Sequence, residues 1–542
     1  MIRVKKESKL ILERKIESKN LLPVMGLLFI VFLTFYLYSF SFSAGFVWDD
    51  YSLICNNLYI QSFSHIKDIF TTDWGSGSGL QTSFYRPLAI VSYIFDYKLW
   101  GLHAGGYHLV NTLLHIVAVL LVFWVAKQIA GTAAAFAGAL LFAVFPGNVQ
   151  TVCYLSNRAE IFSAIFLLLS LGFYILFYEK ERKAYFVLSA FFIFLGFLAK
   201  ESILVFFAVA LCYHFCYLRK IKLLPSLLLL MIVFLYMAVH AMIFHSQVLP
   251  FSVLPQYEVP LRLMLSPASF LGYLKMIFWP LGLHAEYMDY PHGWDDWRVG
   301  CGVFLLALLV TVIFLIRRRN KTVAFTLSWF VVALLPYTGL YPLAFYKSDH
   351  YIYFPVIGFF IACGILFAWL YERYRRLAFS ILAMVVIFYS VLTIRQNSYW
   401  LDAVKFYKTT LQYSPYSKRL RIMLGREYLN RNQFDLSVKA FEGLINIFPD
   451  SFDGYYELGF AYAINGQRAP AVALLEKALQ FHDGECSSYL NVGCLFQSWG
   501  YRKDAEQSFR EALRIKPDNP TAKLKLSALG DLNPINPGKV IK

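Results

Sequence analysis

Apolar residues run almost without interruption from residue 21 to about residue 395, and short polar or basic segments divide them into separate runs. A helix needs about 20 consecutive apolar residues to cross a bilayer. The runs therefore predict an all-α bundle of about eleven membrane-spanning helices, several of them short for a full crossing. The predicted spans are 21–44, 107–129, 132–148, 159–178, 184–198, 202–217, 223–244, 299–316, 322–340, 353–371 and 375–394.

Lysine and arginine cluster between these runs, at every second connection. The clusters lie at 5–15, 180–183, 219–222, 317–321 and 373–376. Because cytoplasmic loops are enriched in lysine and arginine, the alternation predicts a cytoplasmic N-terminal arm at residues 1–20. An odd number of spans then places everything after residue 395 on the opposite side. We expect a multi-pass protein of the bacterial inner (plasma) membrane whose C-terminal domain is periplasmic.

Two of the predicted outer loops are long, at residues 45–106 and 245–298. In the first, the segments near 60–70 and 88–100 have the spacing of amphipathic helices, which predicts that they lie along the membrane interface. In the second, the apolar segment 268–281 is too short to span, so we expect a re-entrant or interfacial helix there.

A period of 34 residues begins after residue 414. Multiples of 34 relate Pro415, Pro449 and Pro517, then Gly425, Gly459 and Gly493, and then Phe441, Leu475 and Phe509. This length and residue order are typical of tetratricopeptide repeats (TPRs). The pattern predicts a linker helix at 396–417, three repeats and a capping helix over 418–530, starting at 418, 452 and 486, and a tail at 531–542. Such a soluble α-solenoid binds a peptide or partner in its groove; a spacer or dimerisation module is the alternative.

Composition supports two domains in different solvents. Of the 542 residues, 58% are hydrophobic and only 15% are charged, which excludes a soluble globular protein. The net charge of +16 lies largely in the basic clusters, so no nucleic-acid partner is expected. The eight cysteines form no disulfide framework or zinc spacing. The sequence demands no cofactor, and a divalent metal is neither indicated nor excluded.

Candidate chemistry lies at the outer ends of the spans. Asp49 and Asp50 directly follow the first span, where one carboxylate could act as a base while its neighbour raises its pKa. A solvated loop entry is the alternative. Further ionisable residues at this level are Arg86, Arg158, Glu160, Lys200, Glu201, Lys347 and His350.

Cations on the outer side oppose the usual charge asymmetry of membrane proteins, and a lipid-linked phosphate at the outer leaflet would account for them. For each single cation, snorkelling to the interface is the alternative.

His108 lies at the outer end of the second span. It is either a polar contact between helices or part of a site.

Six segments resemble one family in their residues and their order. They are FVWDDYSLI (46–54), YRPLAIVSYIFDYKLWG (85–101), GYHLVNTLLH (106–115), LFAVFPGNVQTVCYLSNRAEIF (141–162), LAKES (198–202) and HYIYFPVIGF (350–359). Followed by the repeats, they resemble the transmembrane-and-TPR protein O-mannosyltransferases and their bacterial homologues, which are type C glycosyltransferases. The resemblance implies a polyprenyl-phosphate sugar donor and an inverting transfer. It matches Asp49 and Asp50 to the family's acidic pair and Arg86 to a basic position, whereas His350 stands where arginine is usual.

The combined interpretation is a membrane glycosyltransferase of the hexosyl- or mannosyltransferase kind, acting on the outer face. The expected acceptor is a serine or threonine hydroxyl of an exported protein that binds the repeat groove. The predicted catalytic residues are Asp49 and Asp50; the predicted phosphate ligands are Arg86, Arg158, Lys200, Lys347 and His350; further candidates are Tyr85, His108, Glu160 and Glu201. A transferase that modifies a lipid or envelope glycan, and a non-catalytic scaffold that presents the repeats, are the alternatives.

Overall fold

The computed structural model describes residues 24–80, 82, 84–217, 223–244, 259–341, 343, 345–481 and 484–531. Within these residues every regular element is helical. The chain divides into two compact units, Met1–Phe406 and Tyr407–Lys542. The predicted basic arm (1–20), the basic cluster at 219–222 and residues 532–542 of the predicted tail lie outside the described residues.

The helices of the first unit follow the predicted apolar runs. In chain order they are α1 (Val24–Ser43), α2 (Ile66–Thr71), α3 (Pro87–Trp100), α4 (Ala104–Val144), α5 (Val149–Cys153), α6 (Arg158–Lys180), α7 (Lys183–Ala199), α8 (Val205–Tyr217), α9 (Leu223–Ile243), α10 (Val259–Phe278), α11 (Trp297–Arg317), α12 (Lys321–Leu334), α13 (Pro355–Arg373), α14 (Arg375–Trp400) and the start of α15 (Ala403–Tyr413).

Six described helices are long and apolar enough to cross a membrane: α1, α4, α6 with its preceding turn, α11, α13 and α14. Helix α7 and the apolar helical stretches at 201–217, 227–243 and 321–337 are shorter. By length and composition, the first unit is thus a multi-pass membrane domain. The count of eleven crossings stays a prediction.

Helix α4 combines two of the predicted spans. It has 41 residues and contains one non-helical residue, Gly131, with φ 81° and ψ 171°. A straight helix of that length would extend about 60 Å, twice the roughly 30 Å of a hydrocarbon core. Glycine adopts a positive φ without a steric penalty. The bend at Gly131 therefore separates two segments that correspond to the predicted spans 107–129 and 132–148.

The outer loops hold further helices. Helix α3 lies over the predicted amphipathic segment 88–100, with Tyr93 and Ile94 buried and Phe95 and Leu99 exposed. The predicted bounds of 268–281 for the second-loop helix were wrong, since α10 begins at Val259 and ends at Phe278. Pro267, directly before the predicted start, lies inside the helix.

The second unit consists of helix pairs. Its helices after α15 are α16 (Lys418–Asn430), α17 (Phe434–Ile447), α18 (Phe452–Ile464), α19 (Arg468–Ala478), α20 (Cys486–Trp499), α21 (Arg502–Ile515) and α22 (Pro520–Asp531). The first helix of each pair begins at a predicted repeat start. The glycine that recurs every 34 residues faces a bulky side chain of the second helix in its pair. Gly425 faces Phe441, Gly459 faces Leu475 and Gly493 faces Phe509. Terminal α22 packs on α21 through Ala522 and Leu529.

The boundary between the units falls inside the predicted linker helix at 396–417. Trp400 and Phe406 are buried and their rings lie 4.7 Å apart between centroids. Both belong to the first unit. The first part of the predicted linker is therefore part of the core of the membrane domain.

Candidate active site

The described part of the first unit encloses a cavity of about 530 Å³, within the range of small-molecule sites. Its walls come from the first outer loop, the segment 150–157, the α7–α8 connection with the start of α8, and the segment 332–351. Most of the described lining is aromatic or aliphatic. Five predicted site residues line it: Asp49, Arg86, Lys200, Glu201 and His350.

Asp49 is half-buried and presents its carboxylate at the wall of the cavity. The Tyr154 hydroxyl donates a hydrogen bond of 2.6 Å to its Oδ2 atom. Tyr154 immediately follows α5, so the bond joins two segments that are 105 positions apart in the chain. A carboxylate held at a cavity wall can accept a proton from a bound hydroxyl, as general-base catalysis requires.

Asp50 points into the protein instead and is fully buried. It accepts hydrogen bonds from the Ser156 hydroxyl at 2.6 Å, the Ser156 amide at 2.8 Å and the Val47 amide at 3.1 Å. Burial raises the pKa of Asp50 to about 7, although these hydrogen bonds oppose the rise. The two predicted catalytic carboxylates thus have different surroundings: Asp49 faces the cavity, and Asp50 ties the first loop to the 154–157 segment.

Arg86 lies in the cavity wall between two aromatic rings. Its guanidinium carbon is 4.5 Å from the centroids of both Trp74 and Phe84. Its Nη2 and Nε atoms lie 2.8 Å and 3.4 Å from the two oxygens of Glu201. Aromatic faces and a carboxylate both attract a planar guanidinium, so these three groups fix the orientation of the Arg86 side chain.

Lys200 and His350 complete the predicted residues at the cavity. Lys200 forms a buried ion pair with Glu160, which lies behind the lining. The His350 amide donates to Gln150 Oε1 at 3.0 Å. Burial, together with the charges of Lys200 and Arg86, lowers the pKa of His350 well below its usual value. His350 is therefore neutral at pH 7 and offers the cavity a polar ring without a positive charge.

Two predicted phosphate ligands lie elsewhere. Arg158 is fully buried, ion-paired with Asp96 at 2.5 Å and hydrogen-bonded to Asn111 at 2.6 Å. Lys347 is buried and pairs with Asp289 of the second outer loop at 3.1 Å. Neither is part of the described cavity lining. Of the four lysine and arginine side chains in the predicted phosphate clamp, Arg86 and Lys200 line the cavity, whereas Arg158 and Lys347 do not. Position at a span end does not determine which way a side chain points.

Tyr85 and His108, two further candidates, also lie outside the described lining. The Tyr85 hydroxyl donates to the Phe70 carbonyl at 3.0 Å, and His108 is buried in α4. Sequence reasoning missed Tyr154 and Gln150, although both lie in the 141–162 segment that carries the resemblance. Both side chains are uncharged, so neither was singled out as a candidate for catalysis or phosphate binding.

Among the residues that the structure describes, no three His, Cys, Asp or Glu side chains are grouped closely enough to hold a metal ion.

Comparison with known proteins identifies relatives of both parts of the chain. A family model described as dolichyl-phosphate-mannose-protein mannosyltransferase matches residues 88–246, and a tetratricopeptide repeat model matches residues 487–519. Protein O-mannosyl-transferase TMTC3 of Mus musculus is 24% identical over 88% of this chain and 59% of its own length. Protein O-mannosyl-transferase F38B6.6 of Caenorhabditis elegans is 26% identical over 74% of this chain and 60% of its own length.

A shorter stretch is more similar: Protein O-mannosyl-transferase Tmtc1 of Drosophila melanogaster is 36% identical over 26% of this chain and 16% of its own. The chain spans about 60% of the length of the first two relatives. Among solved structures, ArnT from Cupriavidus metallidurans bound to undecaprenyl phosphate aligns with a TM-score of 0.46 and 13% identity, over 86% of this chain and 80% of that one. The resemblance to the transmembrane-and-TPR O-mannosyltransferases that the sequence motifs indicated is confirmed by these matches.

Proposed function

We propose that this protein is a membrane glycosyltransferase that moves a sugar from a polyprenyl-phosphate donor to a hydroxyl acceptor. The acceptor is a serine or threonine side chain of an exported protein. One observation carries the proposal: a carboxylate, Asp49, and two cations, Arg86 and Lys200, line one cavity of a membrane domain. The similarity to O-mannosyltransferases supports it.

The apolar part of the cavity favours an amphipathic donor. Leu204, Val205 and Ala208, at the start of α8, line the same cavity as the charged residues, and so does Val332 of α12. These helices are among the apolar helices of the membrane domain. A molecule with a phosphate head and a hydrocarbon tail would match both kinds of surface, because the apolar tail stays out of water while the cations contact the phosphate.

The proposed reaction needs one base and one stabilised leaving group. Asp49 removes the proton of the acceptor hydroxyl. The hydroxyl oxygen attacks the anomeric carbon from the face opposite the phosphate, and the bond from that carbon to the phosphate oxygen breaks. The anomeric centre is inverted, the proton rests on Asp49, and polyprenyl phosphate leaves with the bonding electrons.

Arg86 and Lys200 are the groups placed to stabilise the leaving phosphate. Both have carboxylate partners, Glu201 and Glu160. The pair with Glu201 uses the Nε and Nη2 atoms of Arg86, whereas a guanidinium has five N–H donors. Arg86 can therefore contact a phosphate while Glu201 holds its orientation.

The reaction takes place at the outer leaflet in this proposal. The basic clusters between the predicted spans support that location, and the TPR match supports recruitment of the protein acceptor by the second unit. Donor and acceptor then meet at the membrane surface, since the donor's hydrocarbon tail remains in the bilayer.

The test uses purified full-length protein in lipid nanodiscs, polyprenyl-phosphate hexoses as donors, and a serine- and threonine-containing peptide as acceptor. We expect wild-type protein to release polyprenyl phosphate and label the peptide. Asp49→Asn should reduce the rate by about 10²–10⁴-fold, the scale of losing a general base. Asp68→Asn is the matched control, because Asp68 lies in the same loop and pairs with His65 at the surface.

Two results would contradict the proposal. If polyprenyl-phosphate sugars are not consumed with any acceptor, the protein is not a transferase of this class. If the sugar moves only to lipid or envelope-glycan acceptors, the protein acceptor is wrong and the alternative transferase is supported.

A further inference from the structure

Tyr154 occupies a special place at the cavity wall. Its hydroxyl donates to Asp49 Oδ2 at 2.6 Å, and its ring stacks with two tryptophan rings. The centroid of the Trp48 ring lies 5.6 Å away and that of the Trp400 ring 5.9 Å away, each with an interplanar angle of 23°. All three rings are buried. The stack therefore fixes the position of the hydroxyl that contacts Asp49.

The backbone next to Asp49 is strained in a way that the same stack explains. Trp48 has a φ of 57°, a conformation that side chains other than glycine rarely adopt. Such a conformation persists only where the surroundings hold it. The Trp48 ring also contacts Phe406 and Phe345, with centroids 5.7 Å and 5.9 Å away. Packing of Trp48 thus turns the chain so that Asp49 faces the cavity and meets Tyr154.

We propose that Tyr154 is a positioning residue for Asp49: its hydroxyl holds the carboxylate in the orientation that receives the acceptor proton. This inference rests on the proposed function. The hydrogen bond of 2.6 Å to Oδ2 restrains rotation of the carboxylate. The base is therefore held in one orientation, as an efficient proton transfer requires, when the Tyr154 hydroxyl is present.

Other charged groups around Asp49 remain unchanged when this hydroxyl is removed. Arg86, Lys200 and Glu201 line the same cavity, His350 lines it as a neutral ring, and Asp50 is the next residue in the chain. Replacing the Tyr154 hydroxyl by hydrogen leaves each of these side chains in place.

The test is Tyr154→Phe in the full-length protein, which keeps the ring and hence the stack. We expect kcat to fall by about 10- to 100-fold, the value of one hydrogen bond to a charged group, with the KM for the donor within about twofold. Tyr107→Phe is the matched control, because its hydroxyl donates to the Gly101 carbonyl at 2.9 Å, outside the described lining.

A second measurement keeps the fold and strengthens the bond. Replacing Tyr154 with 3-fluorotyrosine retains the ring and makes the hydroxyl a better donor, so kcat should stay close to that of wild type. A wild-type kcat in Tyr154→Phe, or an equal loss in both Tyr154 variants, with Asp49→Asn inactive, would overturn the positioning role and leave the proposed function intact. Full activity of Asp49→Asn would overturn the base assignment itself.

Discussion

Arg86 and Glu201 are 115 positions apart in the chain, and their side chains meet at 2.8 Å in the wall of the cavity. The pair joins the first outer loop to the short connection between α7 and α8. The contact couples the two residues, because Glu201 limits the rotation of the Arg86 side chain and two aromatic rings limit it further. Substitutions of either residue should therefore affect the same step of the proposed reaction.

Arg86→Ala should reduce donor turnover by about 10²–10³-fold, because one donor to the developing phosphate charge is lost. Arg86→Lys should recover only part of the rate, since an ammonium lacks the fork that contacts Glu201 at two points. Steady-state release of polyprenyl phosphate measures both. Rates of Arg86→Ala within twofold of wild type would exclude a direct role at the phosphate.

Arg158→Ala should act on stability. Its removal leaves Asp96 as a buried carboxylate without its ion-pair partner, which typically costs about 3–5 kcal/mol. We expect a lower melting temperature in detergent, and a partial recovery in the double variant Arg158→Ala with Asp96→Ala. A normal melting temperature combined with lost turnover would instead make Arg158 a substrate-binding residue.

Asp50 should make stability depend on pH. Its pKa is raised from 3.8 to about 7 in the folded protein, so between pH 4 and 7 the folded state binds a proton that the unfolded state does not. Stability therefore falls as pH rises through this window and is constant above it. Asp50→Asn should flatten the fall in melting temperature between pH 5 and pH 8.

The comparison between wild type and Asp50→Asn isolates this carboxylate. Burial also raises the pKa of Asp349 to about 7, and the lowered pKa of His350 gives a slope of the opposite sign below pH 6.5. Both groups are present in the two proteins and cancel in the difference. An unchanged pH dependence in Asp50→Asn would show that Asp50 is ionised in the folded state at pH 5.

Two glycines of the first repeat should respond oppositely to alanine. A methyl group at Gly425 would lie 2.3 Å from the buried Phe441 ring, so Gly425→Ala should cost about 1–3 kcal/mol of unfolding free energy. At Gly443 the nearest atom would be 3.6 Å away, in the Arg421 side chain. Gly443→Ala should therefore stabilise the repeat by roughly 0.5–1 kcal/mol. Thermal unfolding that ranks the two variants in the reverse order would contradict the assigned packing.

Deletion of residues 418–542 should separate chemistry from recruitment. The cut retains Trp400 and Phe406, which belong to the core of the first unit. We expect the shortened protein to glycosylate a small peptide and to lose transfer to a folded exported protein. An equal loss with both acceptors, in protein that elutes as a single peak, would show that the repeats support the membrane domain instead.

The sequence was most informative where the signal is local. Apolar runs located the membrane helices, since every lipid-facing helix must be apolar over its own length. The 34-residue period located the starts of the helix pairs at Lys418, Phe452 and Cys486, because each repeat packs on its neighbour in the same way. Asp49 and Arg86 were predicted from their positions near span ends and from the motifs that carry the resemblance, and both line the cavity.

Pairing between distant segments could not be predicted. Nothing near Arg158 in the chain indicates Asp96 as its partner, and the two meet only because α3 packs near the start of α6. Tyr154 was missed for a similar reason: a tyrosine at a helix end is ordinary until the fold brings it to Asp49. Trp400 was assigned to a linker because its neighbours after residue 395 are polar.

The balance of charge at the cavity has a consequence for how a donor arrives. Of the described lining residues, two carry positive charge, Arg86 and Lys200, and two are carboxylates, Asp49 and Glu201. Glu160 adds a further negative charge behind Lys200. A site with this balance exerts little long-range attraction on an anion, so electrostatic steering from bulk water would not accelerate capture. The proposed donor, an anionic lipid, would reach such a site by lateral diffusion within the bilayer, at a rate that ionic strength hardly changes.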